Sequence, residues 1–358
     1  MAKHQISVIP GDGIGPEVIA EGIKALNAVG ARCGHTFSYA HYLAGGAAID
    51  ATGVPLPDDT IKGVKDSAAL LFGAIGGPKW EKVPHHIKPE AGLLKLRKEL
   101  DAWANLRPAV VFDELADAST IKPEVLRGTD IMVLRELTGG IYFGTPRGIS
   151  GTGRDRKGFN TEVYAEWEVE RIVRMAFTIA RGRKKRLCSV DKANVLESSQ
   201  LWREVAIRVG ADFPDVALSH MYVDNAAMQL IRDPKQFDVI VTGNIFGDIL
   251  SDEASQLTGS IGMLASASVG GPVGFFEPIH GSAPDIAGQR KANPLATIGT
   301  VALLLRYGLK LEAEAVVVER AIRAVLAQGL RTGDIKQPGC TLVDTVAMGD
   351  AVVAAIRG

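Results

Sequence analysis

The sequence predicts an α/β fold, and three observations support this prediction. Short apolar runs typical of buried strands alternate along the chain with segments of helical periodicity. Glycine-rich turns follow two of the predicted strands, as is common where α/β proteins bind ligands. The chain has 358 residues, which is enough for two domains.

The predicted elements follow from local patterns taken in chain order. Short apolar runs predict strands at 6–9, 68–72, 130–134, 187–190 and 237–242. Apolar residues at three- and four-residue spacing predict helices from Pro16 onward, at 163–180, at 294–308, at about 312–328 and at about 344–356. Asn293 is the predicted N-cap of the third of these helices, and Pro294 is its predicted first residue.

Composition excludes several classes of partner. The net charge is −1 and charged residues make up 23% of the chain, so we expect neither nucleic acid nor an acidic membrane surface as a partner. No run of about 18 apolar residues occurs, so no membrane span is expected. Cys33, Cys188 and Cys340 are scattered and odd in number, which favours a reducing cytoplasm.

Asp248 and Asp252 form the most informative pair in the chain. They follow the predicted strand at 237–242 and are four residues apart, so a helix would place both carboxylates on one face. Two close carboxylates suit a hard divalent cation such as Mg²⁺ or Mn²⁺. For an isolated pair of this kind, a solvated helix face would be the better explanation.

Further candidate residues lie near the ends of predicted strands. Asp224 is a third candidate metal ligand, although alone it would be interpreted as a helix N-cap. Lys192 ends an apolar strand, and Tyr142 lies in a glycine-rich segment that resembles a hairpin. A lysine or tyrosine can act as an acid or base when its pKa moves toward neutrality. Core packing is the alternative explanation for Tyr142.

Three arginines stand in polar surroundings and could serve a substrate with two carboxylates. They are Arg97, Arg107 and Arg135. Arginine binds carboxylates in a bidentate manner, so three converging arginines would suit a di-acid. Taken singly, each arginine is better explained by a surface ion pair of little energetic weight.

Two glycine-rich segments differ in what they predict. The segment 10–16 follows a strand and opens a helix, but its spacing is G-x-G-x-G and not the G-x-G-x-x-G of a dinucleotide fingerprint. We therefore interpret it as a tight turn that could line a ligand, and not as a Rossmann phosphate loop. The segment 280–288 is a loop of small residues that would let the backbone approach a nucleotide closely. Asp285 in that loop could accept hydrogen bonds from ribose hydroxyls.

Taken together, these segments resemble the isocitrate/isopropylmalate family of β-decarboxylating dehydrogenases. The resemblance covers essentially the whole chain and is carried by motifs in the family's order: 90–97, 105–108, 134–144, 190–197, 222–225, 244–253, 280–288 and Asn293. It implies a two-domain α/β fold of this family's type and not a classical Rossmann fold. It also implies a discontinuous first domain, 1–102 plus 259–358, and a second domain, 103–258.

The resemblance implies a role for each matching residue. Lys192 would help to remove the substrate's hydroxyl proton, and Tyr142 would reprotonate the product carbon. The substrate carboxylates would be bound by Arg97, Arg107 and Arg135. Mg²⁺ or Mn²⁺ would be held beside the substrate by Asp224, Asp248 and Asp252. The residues expected along the dinucleotide are Glu90, His280, Gly281, Ser282, Ala283, Pro284, Asp285, Ile286 and Asn293.

The implied activity is the NAD-dependent oxidative decarboxylation of 3-isopropylmalate to 4-methyl-2-oxopentanoate and CO₂, in leucine biosynthesis. In this family Lys192 and Asp224 would reach into the partner's site, which implies a homodimer with shared active sites. Asp285 with Ile286 favours NAD over NADP. An apolar pocket for the isopropyl group would be formed by Leu93, Leu94 and Val195, and it would penalise a buried carboxylate.

Two alternatives remain open on the sequence alone. A dehydrogenase of the same family could act on tartrate, D-malate or homoisocitrate, although the apolar Leu93–Leu94 pair argues against this. The chain could also be a catalytically silent regulatory subunit. The presence of Tyr142, Lys192 and all three aspartates argues against that alternative.

Overall fold

The computed structural model describes residues 3–358. Within that range the strands are β1 (Lys3–Gly11), β2 (Thr36–His41), β3 (Ala69–Ala74), β4 (Ala104–Val110), β5 (Asp130–Glu136), β6 (Gly148–Ser150), β7 (Lys157–Phe159), β8 (Arg186–Asp191), β9 (Ala217–Tyr222), β10 (Val239–Thr242), β11 (Ala265–Val269), β12 (Gly274–Pro278), β13 (Leu330–Arg331) and β14 (Thr341–Leu342). The α-helices are α1 (Gly15–Cys33), α2 (Gly46–Thr52), α3 (Asp58–Lys65), α4 (Pro89–Glu99), α5 (Pro123–Leu126), α6 (Glu166–Arg181), α7 (Glu197–Gly210), α8 (Val223–Arg232), α9 (Asn244–Ser255), α10 (Leu295–Leu303), α11 (Glu312–Ala327) and α12 (Thr345–Arg357).

The predicted α/β class and the predicted strands are confirmed, and the helices differ only at their ends. The helix predicted at 163–180 is α6, which begins later because the residue before it, Ala165, is extended. The helix α10 begins one residue later than predicted, although Asn293 makes the side-chain bond expected of an N-cap. Pro294 is the N-cap and the helix begins at Leu295, whose N–H donates to Asn293 Oδ1 at 3.0 Å.

The chain forms two compact units. The first unit contains residues 1–102, 112–120 and 258–358, and the second contains 103–111 and 121–257. The first predicted domain did not include the segment 112–120, which contacts place in the first unit.

The first unit is built on five strands in the order β2-β1-β3-β12-β11. Neighbouring strands are parallel except for β11 and β12, which are antiparallel. Helices α1, α10, α11 and α12 pack against one another. A core beneath β1, β3 and β12 includes Ile9, Leu70, Phe72 and Phe275, and the rings of Phe72 and Phe275 lie 4.9 Å apart. This core supports the loops that leave the carboxyl ends of β1 and β3.

The second unit is built on five strands in the order β4-β5-β10-β8-β9. Strands β4 and β5 are antiparallel, and the other neighbours are parallel. Helices α6 and α7 pack together on β8, and α8 and α9 also pack together. Buried apolar residues such as Val133, Val190, Ile240 and Leu250 join the strands to α9. The carboxyl ends of β5, β8 and β10 therefore have fixed positions, and candidate functional residues follow each of them.

Across residues 3–358, none of the helices combines the length and the apolar character that a membrane span requires.

Candidate active site

Helix α9 carries the paired aspartates of the second unit. It begins directly after β10, with Gly243 as its N-cap. Asp248 and Asp252 are one turn apart on it, as the spacing predicts, and Asp252 is the more exposed of the two. Each carboxylate is paired with an arginine from the neighbouring strands.

Arg135 joins β5 to α9. Its guanidinium forms an ion pair with Asp248, and its Nε and Nη2 donate to Asn244 Oδ1 at 3.0 and 2.8 Å. Gly247 permits this close approach, because an added Cβ would lie only 2.6 Å from the Cβ of Arg135. Arg135 is nearly buried, so its charge faces Asp248 with little screening by water.

Arg107 on β4 pairs with the second aspartate. Its Nη1 lies 2.9 Å from Asp252 Oδ1 and donates to Ser251 Oγ at 2.8 Å, while its Nε donates to Asn105 Oδ1 at 2.7 Å. Two of the three predicted arginines thus lie beside two of the three predicted metal ligands. The cluster brings two anions and two cations together on one surface of the second unit.

Tyr142 belongs to the same cluster. It lies in a 3₁₀ turn over 140–142, and not in the hairpin that the sequence suggested. Its hydroxyl donates to Asp248 Oδ2 at 2.9 Å, and the Arg135 guanidinium lies 5.7 Å from its ring centroid. Burial raises the pKa of Tyr142, and the hydrogen bond to Asp248 raises it further. The phenol is therefore held protonated, and this shift is opposite to the move toward neutrality that the sequence analysis associated with an acid or base.

Lys192 and Asp224 form a second pair in the same unit. Lys192 directly follows β8, and Asp224 lies in the first turn of α8 rather than at its N-cap, which is Tyr222. Lys192 Nζ lies 2.5 Å from Asp224 Oδ1, and this hydrogen bond lowers the pKa of Asp224. Among residues 3–358, no three carboxylate, histidine or cysteine side chains form a metal-binding group. The single chain therefore does not unite Asp224 with Asp248 and Asp252.

Arg97, the third predicted arginine, belongs to the first unit. It lies in the last turn of α4, pairs with Glu277 and stacks over the ring of Phe275 at 5.7 Å. The three residues predicted to line an apolar pocket are divided between the units. On α4, Leu93 packs partly against the core of the first unit, whereas Leu94 is exposed. Val195 is exposed in the second unit.

The loop predicted to bind a dinucleotide lies in the first unit between β12 and α10. It contains the seven residues His280, Gly281, Ser282, Ala283, Pro284, Asp285 and Ile286. Ser282 holds it at two points, since its carbonyl accepts from the Ile14 N–H at 2.8 Å and its hydroxyl donates to Gly76 O at 2.7 Å. Asp285 is exposed. The loop therefore presents a free carboxylate on a fixed backbone.

Two polar residues between β12 and α10, His280 and Asn293, are largely buried. His280 Nδ1 lies 3.0 Å from Gly281 O, and within residues 3–358 its buried Nε2 has no hydrogen-bond partner. Burial lowers the pKa of His280, which favours the neutral ring. Asn293 Nδ2 donates to Asp334 Oδ2 at 3.0 Å. Glu90 is exposed in the first turn of α4, and a Cβ on Gly76 would lie 3.0 Å from its Oε1.

Sequence reasoning missed Asp12, which organises the glycine-rich turn after β1. Its buried carboxylate accepts backbone N–H bonds from Gly46 and Gly76 at 2.8 Å and from Ala47 at 2.7 Å. Gly76 in turn accepts from Ser282. The turn is thus an anchor for neighbouring loops, and an aspartate between two glycines was the signal for it. Asn244 and Asp334 were also missed: Asn244 lies within the motif 244–253 but was given no role, and nothing in the local sequence distinguishes Asp334.

Comparison with known proteins gives matches over nearly the whole chain. Residues 5–352 match the family model described as isocitrate/isopropylmalate dehydrogenase. The chain is 59% identical to the 3-isopropylmalate dehydrogenase of Pseudomonas putida over 99% of both chains. It is 60% identical to that of Nitratidesulfovibrio vulgaris over 98% of this chain and 99% of the relative. It is 58% identical to the chloroplastic enzyme of Brassica napus over 99% of this chain and 88% of the relative.

Solved structures of related proteins share the fold. The isocitrate dehydrogenase of Methylococcus capsulatus is 32% identical, with a TM-score of 0.86 over 99% of this chain and 100% of that chain. A β-decarboxylating dehydrogenase of Thermococcus kodakarensis is 31% identical, with a TM-score of 0.80 over 99% of this chain and 96% of that chain.

Proposed function

Because the chain belongs to the isocitrate/isopropylmalate dehydrogenase family, we propose that it catalyses the oxidative decarboxylation of 3-isopropylmalate in leucine biosynthesis. The observation that carries this proposal is near-full-length identity to several relatives of that name, well above the identity to an isocitrate dehydrogenase. The product is 4-methyl-2-oxopentanoate, released with CO₂. Dehydrogenases for tartrate, D-malate or homoisocitrate and a silent subunit are not favoured.

A divalent cation fits the face of α9. Asp248 and Asp252 provide hard oxygen ligands one turn apart, and both remain at least partly exposed. We propose that these residues hold Mg²⁺ or Mn²⁺ together with Asp224 from a second copy of the chain. When bound, the cation supplies positive charge that stabilises negative charge on the substrate's oxygen. Arg135 and Arg107 already compensate the two carboxylates, so they keep this acidic surface stable.

NAD fits the loop of the first unit. The buried, unpartnered Nε2 of His280 can pair with a polar group of a ligand. The exposed carboxylate of Asp285 can accept hydrogen bonds from ribose hydroxyls and would repel a 2′-phosphate, which favours NAD over NADP. We propose that Glu90, Asn293 and the loop line the dinucleotide. When bound, NAD accepts the hydride.

The chain's own residues move the protons. The ammonium of Lys192 first releases a proton to solvent, and its neutral amine then takes the proton of the substrate's hydroxyl group, while Asp224, 2.5 Å away, orients the side chain. Arg107 and Arg135 bind a carboxylate of the substrate, and Arg97 is proposed for the other. After CO₂ has left, Tyr142 donates its proton to the product carbon.

We propose a homodimer that shares its active sites. Exposed apolar side chains on the second unit suit an interface between two copies: Met228 and Ile231 on α8, Ile249 on α9, and Ile149 and Phe159 on the β6–β7 hairpin. Asp224 is 61% exposed, so it can reach a neighbouring molecule. The free cysteines Cys33, Cys188 and Cys340 suit the cytoplasm.

The test is NADH formation with 3-isopropylmalate, D-malate, tartrate and isocitrate, each with Mg²⁺ or Mn²⁺. We expect a strong preference for 3-isopropylmalate that a chelator abolishes and that NADP⁺ does not support. Preference for D-malate or tartrate would contradict the isopropyl pocket, and silence on all four would contradict the proposed reaction. Unchanged rates with chelator would contradict the metal site alone.

A further inference from the structure

A buried carboxylate lies directly behind the segment that carries Tyr142. Glu136 is the last residue of β5 and its side chain is fully buried. Its Oε1 accepts from the N–H and the hydroxyl of Thr138 at 2.9 and 2.8 Å, and its Oε2 accepts from the Gly139 N–H at 2.7 Å. The carboxylate therefore holds the backbone as it leaves the strand.

Arg171 on α6 closes this arrangement. Its Nη2 donates to Thr138 Oγ1 at 2.7 Å and lies 3.4 Å from Glu136 Oε1. The guanidinium lies over the rings of Trp103 and Trp167, at 4.8 and 4.6 Å from their centroids. Both aromatic faces favour the cation. Arg171 thus has a fixed position and prevents Thr138 from turning away from Glu136.

The segment that follows is fixed along its length as far as Tyr142. The Gly140 N–H donates to Val163 O at 3.0 Å, and Gly139 O accepts from Asn244 Nδ2 at 3.0 Å. Gly140 has φ +73°, and a Cβ there would lie 2.4 Å from the Tyr164 hydroxyl oxygen. The turn at 140–142 then ends with Tyr142 at Asp248. Loss of the first attachment, at Glu136, would release the start of this chain of contacts.

The attachment requires a carboxylate and not merely a polar group. Burial raises the pKa of Glu136, whereas the donors Thr138, Gly139 and Arg171 lower it. A glutamine of the same shape would direct an NH₂ group toward one of these donors and leave a buried N–H unpaired. Glu136→Gln therefore removes the attachment while nearly preserving the volume.

We propose that Glu136 is a positioning residue for Tyr142, which it holds so that the product carbon is protonated from one face only. The inference rests on the proposed role of Tyr142 as proton donor. In that step the enolate left by the loss of CO₂ forms a C–H bond with the phenol proton, the O–H bond of Tyr142 breaks, and solvent reprotonates the phenolate. A phenol that is not held in place would let water deliver the proton from either face.

The test is the stereochemistry of this proton transfer. The enzyme turns over 3-isopropylmalate with NAD in D₂O, and an added amino-acid dehydrogenase converts the product at once to leucine. NMR then distinguishes the two β-deuterated leucines. We expect one isomer from the wild-type enzyme and both isomers from Glu136→Gln. We also expect kcat of Glu136→Gln to fall about tenfold to a hundredfold while KM for 3-isopropylmalate changes by less than about twofold.

Controls separate this role from general destabilisation. Asp238 is another buried carboxylate of the second unit, paired with Arg183, so Asp238→Asn should retain a single isomer. Thr138→Val is a milder variant, which should still give a mixture of the two deuterated isomers, with one in excess. It tests the same contact if Glu136→Gln folds poorly. Addition of Glu136→Gln to Tyr142→Phe should lower kcat no further, because the two residues act in one chain of contacts.

Each outcome is decisive. A single isomer from both Glu136→Gln and Thr138→Val, alongside scrambling by Tyr142→Phe, overturns the positioning role and leaves the proposed function intact. A single isomer from Tyr142→Phe overturns the role of Tyr142 as donor, and the inference with it. Scrambling by Asp238→Asn as well also overturns the inference, because the effect would then follow from lost stability.

Discussion

The ammonium of Lys192 lies 2.5 Å from a carboxylate oxygen of Asp224. The two residues follow adjacent parallel strands, β8 and β9, so the sheet itself brings them together. The contact fixes the direction of a flexible side chain and lowers the pKa of Asp224. The contact holds Lys192 beside Asp224, and its neutral amine, formed when the ammonium releases a proton to solvent, would take the proton of a substrate bound there.

Lys192→Met should therefore abolish most of the turnover and leave the fold unchanged. We expect kcat to fall at least about a hundredfold, because proton transfer by a positioned group contributes that much or more. Steady-state kinetics measure the loss, and circular dichroism reports the fold. Lys185→Met is the matched control, since Lys185 is exposed and makes only a 4.0 Å contact with Asp215. Wild-type rates in Lys192→Met would contradict its role.

Mixed dimers test whether active sites are shared between subunits. If Lys192 serves the partner's site and Tyr142 its own, then a dimer of one Lys192→Met subunit and one Tyr142→Phe subunit contains one intact site. Random mixing should then restore about a quarter of the wild-type activity from two inactive parents. The measurement is NADH formation after the subunits are dissociated and reassociated together. No recovery in verified mixed dimers would place both residues in the same site.

Asp285→Lys tests the cofactor loop. The carboxylate is exposed on a backbone fixed by Ser282, so the substitution should change charge without disturbing the loop. We expect NADH affinity to fall about tenfold, which corresponds to about 1.4 kcal/mol, and the preference for NAD over NADP to narrow. Fluorescence titration measures the affinity. Asp59→Lys, at an exposed position on α3, has the same change in net charge and is the control. Unchanged NADH affinity in Asp285→Lys would contradict the proposed contact between Asp285 and the ribose.

Residues whose chemistry depends on local spacing could be predicted from the sequence. Asp248 and Asp252 lie on one face because a helix repeats every 3.6 residues, and the strand before them is a plain apolar run. Tyr142 was placed near a glycine-rich turn for a similar reason. Its contact with Asp248 could not be predicted, because it joins residues 106 positions apart.

Residues whose role depends on tertiary contacts were not predicted. Glu136 bonds Thr138 and Gly139 and lies beside Arg171 on a later helix, and periodicity carries no signal for the contact with Arg171. The segment 112–120 belongs to the first unit although the chain on both sides belongs to the second. The amino-acid composition does not change where the chain passes from one unit to the other. Pro294 fits either an N-cap or a first helical residue: the helix begins at Leu295, yet Pro294 has helical φ and ψ and Asn293 makes the side-chain bond of an N-cap to Leu295.

Asp12→Ala should destabilise the first unit strongly. The substitution leaves the backbone N–H groups of Gly46, Ala47 and Gly76 without their buried acceptor. An unpaired buried donor costs about 1–3 kcal/mol, so we expect the free energy of unfolding to fall by at least about 3 kcal/mol. Urea unfolding measures it. Asp12→Asn keeps one acceptor oxygen and should lose less, whereas a wild-type urea midpoint in Asp12→Ala would show that water replaces the carboxylate.

The pH dependence of stability should be set partly by His4. The ring of His4 lies 6.0 Å from that of His35, and His35 contacts Glu314 at 2.9 Å. Within residues 3–358 the buried Nε2 of His4 has no hydrogen-bond partner. Burial, with a smaller contribution from His35, lowers the pKa of His4 below the value of about 6.5 expected in the unfolded chain. The unfolded state therefore binds more protons, and stability should fall as the pH drops below about 6.5.

Thermal unfolding from pH 8 to pH 5 measures the slope of stability against pH. His4→Phe should reduce the slope but not remove it, since burial also lowers the pKa of His280. His41→Gln, at an exposed position, should leave the slope unchanged, and an unchanged slope in His4→Phe would contradict the assignment.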